Sequence, residues 1–158
     1  MLTAKQDAPF FEAQDQNQEW LHLADYQGYK NVVLYFYPKD DTPGCTLEAQ
    51  QFTALASEFE ALDTVILGVS KDSCDSHKAF AEKYGLTVRL LADPSGEICE
   101  RYGVWQEREK DGVKKMAILR STFILNKEGV IEDAQYGVNP DGHAAAVLAR
   151  IRELSEAA

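Results

Sequence analysis

The chain has 158 residues, 45% of them hydrophobic and 27% charged, which is typical of a globular protein and excludes a disordered one. Sixteen Lys and Arg against 26 Asp and Glu give a net charge of −10, which disfavours binding to nucleic acid or to a membrane surface. Three cysteines cannot form a closed disulfide framework, and the N-terminus shows no apolar secretory segment. We therefore expect a single domain over residues 1–158 in the cytoplasm, a reducing compartment.

The first half of the chain alternates strands and helices. Its β-branched and aromatic run at 32–37 lacks polar alternation, which predicts a strand buried on both faces. The predicted elements are, in order, a strand over 32–37, a turn over 38–44, a helix whose apolar face spans 52–62, a strand over 64–69, a helix ended by Gly85, a strand over 88–92 and a short helix over 97–102.

The second half changes character. Residues 116–125 and 130–136 predict two strands joined by a tight turn, and a last helix is expected from about 141 to 154. The charged segment 107–112 alternates in sign and is predicted to be a solvated loop. The order of elements predicts an α/β fold in which helices flank a mixed sheet, with parallel strands first and an antiparallel pair last.

The segment from Pro38 to Glu48 carries the chemistry. It connects a buried strand to the first turn of a helix, where free N–H groups and the helix dipole favour an anion. Cys45 in that turn is therefore driven toward its reactive thiolate. A thiolate alone is not a fast catalyst, because donors must also stabilise the leaving oxygen. The Thr42 hydroxyl is one candidate donor, and a positive charge is the other expected part.

Pro38, Thr42 and Cys45 have the spacing Pro-x-x-x-Thr-x-x-Cys, which resembles the active-site signature of the peroxiredoxins. The resemblance is to the bacterioferritin comigratory protein, or peroxiredoxin Q, branch, and it covers nearly the whole chain. The matching segments are Ala8-Pro9-Phe10, Tyr35-Phe36-Tyr37-Pro38, Thr42 to Glu48, Gly103-Val104-Trp105 and Arg120-Ser121-Thr122-Phe123.

The resemblance implies a thioredoxin fold with an N-terminal extension, and an oxidoreductase that reduces hydrogen peroxide and organic hydroperoxides. It implies that Cys45 is the peroxidatic cysteine and forms a sulfenic acid, which thioredoxin or another thiol then reduces. Thr42 resembles the residue that holds the peroxide and the sulfur, and Arg120 the residue that favours the thiolate. Pro38 resembles the proline that shields the pocket from water, and Glu48 the glutamate that orients the arginine. No metal, haem, flavin or other cofactor is implied, and a monomer is expected rather than a dimer.

The recycling step departs from the pattern of the branch. Two positions that carry a resolving cysteine in relatives are Gln50 and, approximately, Ala81 here. Cys74, at the expected start of a helix, is a possible resolving cysteine, whereas Cys99 is predicted to pack as a small apolar residue. If neither thiol reacts with oxidised Cys45, an external thiol must reduce its sulfenic acid directly.

Two other classes of function stay open. A thiol–disulfide oxidoreductase on the same fold is weakened because no Cys-x-x-Cys occurs at the helix start. A non-enzymatic redox sensor or holdase would use the same sulfur and consume peroxide only slowly. His22, His77 and His143 show no metal-ligand spacing and are expected on the surface or on helix faces.

Overall fold

The computed structural model describes residues 1–157, whose strands form a central sheet and two small hairpins. The strands are β1 (Glu12–Gln14), β2 (Trp20–His22), β3 (Asn31–Phe36), β4 (Thr64–Ser70), β5 (Arg89–Ala92), β6 (Trp105–Lys110), β7 (Val113–Ile118), β8 (Ser121–Leu125) and β9 (Ile131–Tyr136). The central five-stranded sheet has the order β5-β4-β3-β8-β9. Strand β4 runs parallel to β3 and β5, and β8 runs antiparallel to β3 and β9, which confirms the predicted mixed sheet.

Helices cover both faces of this sheet, as predicted. They are a short 3-10 helix at Leu23–Tyr26 and the α-helices α1 (Pro43–Ala54), α2 (Ala56–Ala61), α3 (Cys74–Tyr84), α4 (Glu97–Arg101) and α5 (His143–Ala157). Across residues 1–157, none of the helices combines the length and the apolar character that a membrane crossing requires.

Strand β3 is buried on both faces because its side chains alternate between two hydrophobic clusters. Val33 and Tyr35 belong to a cluster with α1, α2, α3 and α5. Val32, Leu34 and Phe36 belong to a second cluster with α4 and the β1–β2 hairpin. The sheet therefore divides the core into two halves. The end of β3 leads, through a short turn, to the start of α1.

Two predicted elements are each divided in the structure. The helical pattern over 52–62 is interrupted at Leu55, whose backbone (φ −102°, ψ 5°) ends α1 and precedes α2. The predicted strand over 116–125 is also wrong as one element, because β7 and β8 are separated by Leu119 and Arg120. The Arg120 side chain therefore projects from a corner between two strands.

The prediction of a loop over 107–112 is wrong, since most of this segment belongs to the β6–β7 hairpin. Its turn is formed by Asp111 and Gly112, which both have positive φ (54° and 76°), as a type I′ turn requires. The hairpin is exposed over most of its length, so the apolar alternation of a half-buried strand is missing from its sequence.

Candidate active site

Cys45 lies in the first turn of α1, as the sequence predicts. Thr42 is the extended residue before the helix, and Pro43 occupies the first helical position, where its missing N–H leaves no intrahelical bond unmade. Cys45 is only 2% exposed. The positive end of the helix dipole therefore acts on a sulfur that is largely screened from solvent.

Arg120 contacts both Cys45 and Glu48. Its Nη2 donates to Cys45 Sγ at 3.3 Å, and its Nη1 donates to Glu48 Oε1 at 2.7 Å. Glu48 follows Cys45 by three residues on α1, so both side chains project toward the same guanidinium. The guanidinium thus places a fixed positive charge in hydrogen-bond contact with the sulfur.

Burial and charge oppose each other in the Arg120–Glu48 pair. Burial raises the pKa of the Glu48 carboxyl to about 7, although the Arg120 charge acts in the opposite direction. Burial lowers the pKa of the Arg120 guanidinium, but the negative charges of Glu48 and Cys45 outweigh it and hold that pKa above its usual value. Arg120 therefore stays charged beside the sulfur at all physiological pH values.

Gly44 makes room for the arginine. A Cβ at this position would lie 3.1 Å from Arg120 Nη2 and 3.3 Å from Pro140 Cγ. Both distances are shorter than ordinary van der Waals contact, so a side chain here would displace the guanidinium from the sulfur.

Thr42 and Pro38 lie beside this group of residues rather than in hydrogen-bond contact with the sulfur. Thr42 Oγ1 donates to the Lys39 carbonyl oxygen at 2.8 Å, so its own proton is engaged and its lone pairs are available to accept a hydrogen bond. Pro38 is exposed and lies two residues beyond the end of β3. The structure thus brings Cys45, Arg120 and Glu48 into contact and places Thr42 one helical turn before the cysteine.

Two buried polar atoms near the site have no hydrogen-bond partner within residues 1–157, namely Tyr35 OH and Glu48 Oε2. The Tyr35 ring stacks on Phe52 with centroids 4.8 Å apart and lies across Gly68, where a Cβ would be 2.7 Å from Tyr35 Cζ. Burial, followed by the negative charge of Glu48, holds the pKa of Tyr35 well above its usual value. Tyr35 is therefore a neutral phenol that packs against Phe52 of α1.

The three cysteines are free thiols in different environments. Cys99 is fully buried in the hydrophobic cluster around α4, as predicted, and burial raises the pKa of its thiol. Cys74 is the first residue of α3 and partly exposed, and burial together with Asp15 and Asp75 raises the pKa of its thiol.

Two of the three histidines lie on helices, as expected, and both are buried. His77 is fully buried on α3, and His143 is 7% exposed at the start of α5. His143 Nε2 lies 2.7 Å from Thr122 Oγ1, and burial, then the Arg120 charge, lowers the pKa of the imidazole. His77, Asp40 and Asp72 lie close enough together for one atom of each to ligate a metal ion. Hydrogen bonds within the protein already engage these atoms.

A mixed sheet with a buried cysteine at the start of a helix, facing an arginine, defines a thiol-based redox protein. The AhpC/TSA family model matches residues 4–134. Peroxiredoxin Bcp of Bacillus subtilis is 42% identical over 151 residues, which cover 96% of each chain. Among solved structures, the bacterioferritin comigratory protein of Xanthomonas campestris, studied for its alkyl peroxide reduction activity, superposes with a TM-score of 0.90. It is 36% identical, and the match covers 96% of this chain and 99% of that one.

A mutant of Xylella fastidiosa peroxiredoxin Q superposes with a TM-score of 0.93 at 31% identity, and 98% of each chain is covered. The chain belongs to the AhpC/TSA family and, within it, to the bacterioferritin comigratory protein, or peroxiredoxin Q, branch. It is thus a thiol-dependent peroxidase with a thioredoxin fold, which confirms the family, the fold and the peroxidase activity that the sequence resemblance implied.

Proposed function

We propose that Cys45 is the peroxidatic cysteine and that the substrates are hydrogen peroxide and small organic hydroperoxides. The observation that supports this assignment best is the 3.3 Å contact between Arg120 Nη2 and Cys45 Sγ at the start of α1. Cys74 and Cys99 lack such a partner among the hydrogen bonds and ion pairs of residues 1–157, and their thiol pKa values are raised. Cys45 is therefore the thiol best prepared for nucleophilic attack.

The reaction moves two electrons from sulfur to the peroxide. The Cys45 thiolate attacks one peroxide oxygen, a sulfur–oxygen bond forms, and the oxygen–oxygen bond breaks. The attacked oxygen keeps its hydrogen, which gives a sulfenic acid, and the other oxygen leaves as alkoxide or hydroxide and takes a proton. Arg120 stabilises negative charge that starts on the sulfur and moves to the leaving oxygen.

The neighbouring residues have separate proposed roles. Thr42 accepts a hydrogen bond from the peroxide, because its own proton is engaged by the Lys39 carbonyl. Glu48 orients Arg120 through the 2.7 Å bond to Nη1. For Pro38 we propose the shielding role that the family resemblance implies, on the exposed side of the active-site turn.

Recycling requires the first turn of α1 to open. With Cys45 only 2% exposed, the thiol of a protein reductant cannot approach Sγ along the sulfur–oxygen axis. We propose thioredoxin or another thiol as the final reductant, acting either on an internal disulfide or on the sulfenic acid itself. Cys74 is the candidate partner for an internal disulfide, because it is partly exposed and begins α3, which packs in the same cluster as Cys45.

We further propose that the chain forms one domain and acts as a cytoplasmic monomer. Both hydrophobic clusters are built on the two faces of one sheet, which supports a single folding unit. The net charge of −10 argues against nucleic acid or an anionic membrane as a partner.

One equivalent of hydrogen peroxide tests the assignment. The reduced protein is treated, its intact mass is measured, and a digest locates the modification. We expect either one added oxygen on Cys45 or the loss of two hydrogens with Cys45 and Cys74 linked. Unmodified Cys45 in a protein that has consumed the peroxide would contradict the assignment.

A further inference from the structure

The active-site turn contains a buried carboxylate that the proposed reaction does not use. Asp40 lies two residues before Thr42, and its side chain is only 4% exposed. Its Oδ1 accepts a hydrogen bond from Tyr37 OH at 2.6 Å. Its Oδ2 accepts one from Ser76 Oγ at 2.8 Å and lies 2.7 Å from His77 Nδ1. The carboxylate therefore joins the end of β3 and the turn to α3.

The contacts of both ring nitrogens of His77 are with oxygen atoms. Its Nε2 lies 3.0 Å from the Leu91 carbonyl oxygen, which can only accept, so Nε2 carries a hydrogen. The short contact between Nδ1 and Asp40 Oδ2 needs a second hydrogen. Asp40 already accepts hydrogen bonds from Tyr37 and Ser76, so we place the second hydrogen on the imidazole. In that assignment the pair is an imidazolium and a carboxylate.

Two further titratable groups, Tyr37 and Asp72, contact the residues of this pair. Tyr37 OH, at the end of β3, lies 3.3 Å from His77 Nδ1, and burial together with Asp40 holds the pKa of Tyr37 well above its usual value. The Asp72 carboxylate, which follows β4, accepts from the Asp40 backbone N–H at 2.8 Å and from Ser70 Oγ at 2.7 Å. No other charged side chain is hydrogen-bonded to the pair among the described residues.

A second contact joins the same turn to the other end of α3, and it is exposed. Asp41 accepts hydrogen bonds from Lys83 Nζ at 2.8 Å and from Tyr84 OH at 2.6 Å. The side chains of Asp41 and Lys83 are 43% and 57% exposed. An exposed ion pair contributes little, whereas a buried hydrogen-bonded pair opposes any movement that would separate its charges.

We propose that the Asp40–His77 pair is a latch that holds the active-site turn against α3 and sets the balance between the two halves of the catalytic cycle. When the latch is closed, Thr42 and the first turn of α1 are held beside Arg120, in the position required for attack on the peroxide. The open latch releases the same turn so that a reductant can reach the sulfur. Asp40 and His77 contact neither the sulfur nor the peroxide, so they are positioning residues, and their effect on turnover rests on the proposed role of Cys45.

The variant Asp40→Asn tests the charge of the latch with little change of shape. The amide oxygen can still accept from Tyr37, and the amide nitrogen has two N–H groups, one for the Nδ1 of a neutral His77 and one for Ser76 Oγ, which must then accept instead of donate. The same partners can therefore stay hydrogen-bonded while the ion pair is lost. Asp41→Asn is the matched control, because it makes the same chemical change one residue further along in an exposed pair.

Amide hydrogen exchange in the reduced protein tests the latch without any need for peroxidase activity. In Asp40→Asn we expect exchange in residues 37–54 to rise about tenfold, which corresponds to about 1.4 kcal/mol, while β8 is unchanged. Asp41→Asn should stay within about twofold of the wild type. Unchanged exchange in Asp40→Asn, or an equal rise in every segment, would overturn the proposal.

NMR of the side-chain nitrogens measures the protonation of the His77 ring, which would not change if Asp40 had only a structural role. His77 should show two protonated ring nitrogens in the wild type at pH 7 and one in Asp40→Asn. A neutral His77 ring in the wild type would contradict the ionic latch.

The two half-reactions complete the test. In single-turnover experiments, Asp40→Asn should be oxidised by hydrogen peroxide about tenfold more slowly, and its sulfenic acid should be reduced by dithiothreitol about threefold faster. Any result other than opposite changes would overturn the proposal. If peroxide is consumed while Cys45 of the wild type stays unmodified, the proposed function fails, and the hydrogen-exchange comparison still tests the latch independently.

Discussion

Cys45 and Cys99 lie on opposite faces of the central sheet. Cys45 packs in the same cluster as Val33 and Tyr35, and Cys99 packs with the alternate side chains Val32 and Leu34 of the same strand. The sheet therefore separates the two sulfurs, and a disulfide between them would require the core to come apart.

Replacing Cys99 should leave the peroxidase working. We expect Cys99→Ala to consume peroxide within about twofold of the wild-type rate, because its buried thiol takes no part in the cycle, and to lose about 1 kcal/mol of stability. Peroxide consumption with dithiothreitol as reductant, together with urea unfolding, measures both. A folded variant that lost most of its activity would place Cys99 in the mechanism.

Replacing Arg120 by lysine should lower the oxidation rate of Cys45 about 100-fold, equivalent to about 2.7 kcal/mol. Lysine keeps the charge, but its single nitrogen cannot occupy the places of both Nη1 and Nη2, which contact Glu48 Oε1 and Cys45 Sγ separately. Single-turnover oxidation by hydrogen peroxide measures the loss. Arg152→Lys, in an exposed pair with Glu58, is the control and should be unchanged. Equal rates in the two variants would exclude a special role for the guanidinium.

Gly44→Ala should separate stability from activity. Alanine favours a helix by about 1 kcal/mol over glycine, so the variant should not unfold more easily. Its Cβ would lie 3.1 Å from Arg120 Nη2, so the arginine should shift and peroxide consumption should fall about tenfold. Gln50→Ala, at an exposed position of α1, should keep full activity. Full activity in Gly44→Ala would show that peroxide reduction does not require the observed position of the Arg120 guanidinium.

Glu48 should make stability depend on pH. Its folded-state pKa of about 7 lies above the reference value of 4.5, so the folded protein holds this proton more tightly than the unfolded chain does. The resulting stability is complete below about pH 4.5 and is lost as pH rises through about 7. The difference corresponds to about 3 kcal/mol at most.

Glu48→Gln should therefore gain stability relative to the wild type as pH rises from 4.5 to 8, because the amide accepts from Arg120 without being ionised. Urea unfolding of both proteins at several pH values in this range measures the gain. Parallel stability curves would show that Glu48 titrates at its ordinary value.

Local signals in the sequence were sufficient for the centre of the site. The buried run at 32–37 fixes a central strand, and Pro43 marks a helix start, so Cys45 could be placed in the first turn from its neighbours alone. The resemblance to a known family then added Arg120, for which no local pattern predicts a role.

Long-range contacts determined what the sequence did not predict. The break before β8 arises because Leu119 N–H donates to the Val104 carbonyl, while the Arg120 carbonyl accepts from Gly137 and Val138. The apolar pattern of residues 116–125 does not predict these hydrogen bonds.

The charged partner of His77 was not predicted, for a similar reason. Its partner Asp40 is 37 residues away in sequence, and a single histidine in an apolar helical stripe does not reveal a charged partner. A polar residue on a buried helix face, with an acidic residue in a turn that packs nearby, is the one signal that could have indicated the pair.

Peroxide consumption by Cys45→Ser, measured beside Cys74→Ser and Cys99→Ser with excess dithiothreitol, tests the central claim most directly. The account predicts no consumption above the uncatalysed rate for Cys45→Ser and continued turnover for the other two variants. Turnover retained by folded Cys45→Ser would show that the sulfur beside Arg120 is not the one that reduces peroxide.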